Sequence, residues 1–149
     1  VKLSENFSLA ELTRSQVATR KNIPNDPSWI EVSNLKSLCK NILEPVRFHF
    51  DRPFSPASGY RSLVLNNEIG SHDKSQHILG QAADLEIYGV SNYDLAVWIR
   101  DNLDFDQLIL EHHDRDIPSS GWVHVSYLGN NRKEVLEFRD HSWSLDLKN

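Results

Sequence analysis

Three side chains in this sequence carry the right atoms in a suggestive arrangement: His77, Asp84 and His124. Imidazole nitrogen and carboxylate oxygen both bind first-row divalent metals, and Zn²⁺ takes either readily. His77 and Asp84 bracket the stretch Ser75-Gln-His-Ile-Leu-Gly-Gln-Ala-Ala-Asp84. Gly80 lets the backbone turn sharply between them, and Ala82 and Ala83 let it pass close to other elements. His124 lies in Gly121-Trp-Val-His-Val-Ser-Tyr127, where strand alternation puts Trp122, His124 and Ser126 on one face. Three such ligands would leave a fourth position open to water, the arrangement of a catalytic zinc site. By spacing alone, a structural His–Asp hydrogen bond accounts for the pair equally well.

Around this trio stand further candidates. Arg61 follows Ser58-Gly-Tyr in a turn, and its fork of donors suits a carboxylate or a polarised carbonyl. As a lone residue it reads more simply as a surface arginine. Glu111 ends a strand whose alternation groups it with residues 107 and 109, so it can face the same pocket as His124. There it would serve as acid/base; a solvated strand-end glutamate is the equal alternative. His112 and His113 are rivals for that role or for a fourth ligand, and adjacent strand residues face opposite ways, so at most one reaches the metal. Ser75, Trp122 and His112 are candidate substrate contacts, with core packing the safer reading of Trp122. Asp73, Ser75 and Gln76 are placed to orient His77 by hydrogen bonding. His72 is peripheral, and His49 and His141 have no assigned role.

These residues need a scaffold. Ser8-Leu-Ala-Glu11 has capping-box spacing and predicts a helix from about Leu9 to Arg20. Val32, Leu35, Leu38, Cys39, Ile42, Leu43 and Val46 recur at three- and four-residue steps, an apolar stripe that should pack on a sheet. Pro45 should kink or loosen its last turn. Phe54 to Arg61 reads as a short edge strand, Ser62 to Ile69 as a short helix, and Asp84 as the opening residue of a strand. Ser91-Asn-Tyr-Asp94 caps another helix to about Asn102. Asp106–Glu111 and Trp122–Tyr127 form an antiparallel pair across a polar loop, and Lys133–Phe138 adds a last short strand. The tail from Arg139 has no clear pattern. The class is α+β, a small antiparallel sheet with helices packed on one side, in one domain spanning 1–149 with its core at about 6–138.

The bulk numbers agree. A chain of 149 residues can bury a real core, and 39% hydrophobic with 25% charged residues is ordinary for a globular protein. A net charge of −5 without a basic block disfavours a nucleic-acid partner. No apolar run approaches the length of a membrane span, so membrane insertion is not expected. No signal peptide pattern opens the chain. The one cysteine, Cys39, falls on the apolar helix face and reads as core filler.

Taken together, Ser58-Gly-Tyr-Arg61, Ser75-x-His77-x-x-Gly80-x-Ala82-x-Asp84 and Trp122-Val-His124-Val resemble the zinc D,D-peptidase family. That family includes D-Ala-D-Ala carboxypeptidases, dipeptidases and phage endolysins, and shares its fold with the hedgehog signalling domain. The resemblance runs from about Asn6 to about Arg132. It implies that His77, Asp84 and His124 bind Zn²⁺ and that Arg61 steadies the substrate carbonyl or its oxyanion. It further implies hydrolysis of peptidoglycan stem peptides, by a monomer made in the cytoplasm and brought to the cell wall by other factors in a phage or prophage setting. Many members carry an acid/base residue two or three positions before the last histidine. Here those positions hold Trp122 and Gly121, which leaves the role to Glu111. That departure keeps a metal-stabilised binding module without turnover in view, and a D-Ala-D-Ala dipeptidase differs from the main reading only in substrate.

Overall fold

The computed structural model describes residues 1–148; Asn149, the last residue of the expected domain, lies outside them. Among the described residues five strands form the sheet: β1 (Ala82–Leu85), β2 (Gln107–Glu111), β3 (Trp122–Ser126), β4 (Glu134–Arg139) and β5 (Ser142–Leu145). Their order is β1-β3-β2-β4-β5. The pairs β1–β3, β2–β3 and β4–β5 are antiparallel, while β4 runs parallel to β2. The sheet is therefore mostly antiparallel with one parallel pair, and the class is α+β as expected.

The two sheet faces have opposite chemistry. Ala83, Leu85, Leu108, Leu110, Val123 and Val125 point into the core, all fully buried. Among the described residues six α-helices accompany the sheet: α1 (Leu9–Thr13), α2 (Gln16–Lys21), α3 (Trp29–Leu38), α4 (Glu44–Phe50), α5 (Leu63–Ile69) and α6 (Asn92–Asn102). Leu35 and Leu38 of α3, Val46 of α4, and Leu95 and Ile99 of α6 meet those strand residues in one cluster. The alternate positions, Asp84, His124, Glu111 and Trp122 among them, face a cleft. Period-two alternation thus separates core from chemistry. No helix among the described residues is long and apolar enough to cross a membrane.

Several elements differ from the sequence expectation. The first helix is two, because the hydroxyl of Ser15 accepts from the Ala18 amide and caps a fresh start after Thr13. The Ser8–Glu11 capping box forms as expected. Between α3 and α4 the chain makes a π-turn, Cys39–Leu43, with the Glu44 amide donating to the Cys39 carbonyl. Pro45 has no amide proton for the regular ladder, and the wider turn accommodates it without ending the helix. The Phe54–Arg61 segment is not a full strand; Ser58 makes a single antiparallel bridge to Asp84. β1 begins at Ala82 rather than at Asp84, so Asp84 sits inside the ladder. β5 closes a hairpin in the tail where no pattern was legible.

Candidate metal centre

His77 is delivered by a short 3₁₀ turn, Gln76–Leu79, whose first amides are capped by Ser75 and whose end is turned by Gly80 in the left-handed region. A side chain at Gly80 would also run into the Glu31 carbonyl, so glycine is required twice over. The His77 ring is buried, and its Nδ1 lies 2.7 Å from the Gly59 carbonyl. Since a carbonyl only accepts, Nδ1 carries the proton and Nε2 is left bare toward Asp84. The same segment is tied down on both sides. The Arg61 amide donates to the His77 carbonyl at 3.1 Å, and the Tyr60 amide to the Leu12 carbonyl at 2.7 Å. Gly59 allows this approach, because a side chain there would strike the Leu12 carbonyl.

Asp84 and His124 face each other across β1 and β3 in direct register. Asp84 Oδ1 lies 3.5 Å from His77 Nε2 and 3.1 Å from His124 Nδ1. One donor atom from each of the three residues falls within 4.8 Å of the others. Donors about 2.0–2.1 Å from a tetrahedral zinc stand ~3.3 Å apart, so two of the three spacings already match. Protonation suits a cation as well. Burial pushes the His77 imidazole below its ordinary value, outweighing the pull of Asp84, so it is neutral and ligand-ready at pH 7. Burial alone would raise the Asp84 carboxyl. The facing imidazoles of His77 and His124, the latter donating from Nδ1, outweigh that and hold it well below the usual carboxylate range. The donor set fits a divalent ion with one carboxylate and two imidazoles.

The centre opens into a cleft of about 790 Å³ lined by Arg61, Ser75, Gln107, Glu111, Trp122, Arg132 and Trp143 with the three donors. Arg61 is held, not free: Nε donates to Ser58 Oγ at 3.1 Å and a terminal nitrogen to Asn66 Oδ1 at 3.2 Å. Its other terminal nitrogen stands 3.6 Å from Asp84 Oδ2. Glu111 accepts from the Trp122 indole at 3.1 Å, its neighbour in register on β3. Burial pushes the Glu111 carboxyl up from its ordinary value, with His124 pulling the other way and Asp84 adding to the rise.

Of the candidates read from the sequence, His77, Asp84, His124, Arg61, Glu111, Ser75 and Trp122 all meet here. His112 does not line the cleft; its ring packs on Trp122 and Phe138 at 5.1 and 5.4 Å. The buried His113 faces the Ser120 carbonyl through Nδ1, away from the centre. Asp73 pairs with exposed His72 rather than with His77. Sequence reasoning missed the supports. Buried Asn66 holds Arg61 while donating to the His72 carbonyl, so it fixes both the arginine and the loop beside it. Buried Asp106 accepts from Gln76, next to His77, and from Arg132. No motif marks an asparagine or aspartate whose partners are this distant in sequence. Residues 5–126 match the family described as Peptidase M15. No curated protein matches the chain.

Proposed function

The chain belongs to the Peptidase M15 family, a metallopeptidase family of the zinc D,D-peptidase type, and on that premise we propose that it hydrolyses an amide bond in peptidoglycan stem peptides. One observation carries the reading: two imidazoles and a carboxylate converge within 4.8 Å at the floor of a cleft that also holds Arg61 and Glu111. His77, Asp84 and His124 would hold Zn²⁺. Bound there, the ion supplies Lewis-acid chemistry that makes a carbonyl more electrophilic and water more acidic.

The chain's own groups do the rest. Glu111 takes a proton from the attacking water and returns it to the leaving amine nitrogen. Its raised pKa suits that exchange, and the Trp122 indole on Oε2 leaves Oε1 to carry the proton. Arg61 has five N–H donors, and its bonds to Ser58 and Asn66 leave others for the oxyanion formed at the carbonyl. We read residues 1–149 as one peptidase domain acting as a monomer, and place its substrate in the wall, reached through other factors as in phage lysis.

The test is incubation of purified protein with cell-wall sacculi, with and without chelator, and mass spectrometry of the products. Release of peptide fragments that chelator abolishes and zinc restores is the expected result, and the masses identify the bond. Intact sacculi in the presence of zinc-loaded protein would instead make the chain a metal-stabilised binding module.

A further inference from the structure

The cleft does not stop at the metal centre. On the cleft face, one row of residues crosses four strands in direct register: Trp122 on β3, Glu111 on β2, Phe138 on β4 and Trp143 on β5. Residues directly opposed in neighbouring strands share a face, so this row is a continuous floor. The next row holds Asp84, His124, Ile109, Leu136 and Leu145. Both rows are apolar at the β4–β5 hairpin, with Phe138 and Trp143 in one and Leu136 and Leu145 in the other. At that end Trp143 is 58% exposed and Leu145 75% exposed, yet Trp143 still lines the cleft. Its indole is braced by Phe138, with ring centroids 4.6 Å apart, and Phe138 is braced in turn by His112. The hairpin lies beyond residues 5–126, the segment that matches the family.

We propose that Trp143 is a specificity-determining residue: a platform on which an extended peptide substrate lays its chain several residues away from the scissile bond. This rests on the peptidase reading of the metal centre and adds a length requirement to it. From β3 to β5 there are three strand spacings of ~4.8 Å, about 14 Å in all. An extended chain advances roughly 3.3–3.6 Å per residue, so a substrate needs about four residues on one side of the scissile bond to reach Trp143. A dipeptide cannot touch it. The site therefore selects oligopeptides, and the floor offers apolar rings and aliphatic side chains in place of a charge that would hold a chain terminus. Arg132, which lines the cleft, is occupied by Asp106.

The experiment uses two sugar-free synthetic peptides that share the bond identified from sacculi, one with a single residue on each side and one extended by at least four. The quantity read is the ratio of kcat/KM, long over short. Wild-type protein should favour the long peptide, Trp143→Ala should lower the ratio about tenfold through KM, and Trp143→Phe should restore most of it. An unchanged ratio in Trp143→Ala overturns the proposal. Calorimetric titration of the long peptide into chelator-treated protein separates this from failure of the peptidase reading. Weaker binding by Trp143→Ala than by wild type supports the platform even if neither peptide is ever cut; equal affinities overturn it.

Discussion

The two ends of the cleft face are built on opposite terms. Around β1 and β3 each donor is braced by a second group: Gly59 and Ser75 hold His77, His124 faces Asp84, and Asn66 and Ser58 hold Arg61. Around β4 and β5 the same face presents rings and aliphatic chains to open solvent. The first end cannot shift without breaking hydrogen bonds in low dielectric; the second can take a range of partners without losing any. Chemistry requires fixed atoms, while recognition of a long flexible chain tolerates an adaptable surface.

The sharpest way to break the contrast is at the donors. His124→Ala should reduce zinc affinity by more than the ~10–100-fold typical of groups that merely support a ligand, and abolish hydrolysis. Metal content after dialysis and activity on sacculi check it. Retained zinc at one per chain would remove His124 from the centre. Next in size, Glu111→Gln should leave zinc content intact and cost ~10²–10⁴-fold in rate. In the wild type, activity requires the ionised form, so the acid limb of kcat/KM should lie above the ordinary glutamate value of about 4.3. An acid limb at or below that value, or a near-normal rate for the Gln variant, would take the proton-transfer role from Glu111.

Smaller effects come from the bracing. Hydrogen bonds from Arg132 lower the pKa of buried Asp106 against the desolvation that would raise it, with Gln76 helping. A depressed native pKa adds stability that is present above the unfolded value of about 3.9 and is lost as pH falls through the native one. Asp106→Asn should therefore cost about 1.5–3 kcal/mol at pH 7 and flatten the acid side of the stability curve. Denaturant melts at pH 7 and pH 3 measure both, and parallel losses at the two pH values would contradict the assignment. Smallest of all, Leu145→Ser at the open end should change stability by less than ~0.5 kcal/mol. A loss of several kcal/mol there would mean that the hairpin is core after all.

The same contrast explains what the sequence made legible. Alternation in Trp122–Ser126 and Gln107–Glu111 is a local signal, and it placed His124 and Glu111 on one face correctly. Whether β4 joins β2 in parallel depends on long-range pairing that no local period records, so the antiparallel sheet includes one parallel pair that was not anticipated. The hairpin strand Ser142–Leu145 was invisible because all four of its residues are exposed, leaving no buried alternation to read. Ser15 has the residue type of a helix cap, yet the expectation of one helix after the Ser8–Glu11 capping box passes over it, and there are two. Asn66 and Asp106 escaped notice because their importance lies in partners brought near only by folding.

Gly59 and Tyr60 run between the amino-terminal helix and the turn that carries His77, with one amide fastened to Leu12 and one carbonyl to the imidazole. Those first dozen residues are thus an anchor for the candidate ligand His77 as well as a lid on the core. A version of the protein trimmed at its front end would keep every candidate zinc ligand in its sequence and still lose the ring's bearing.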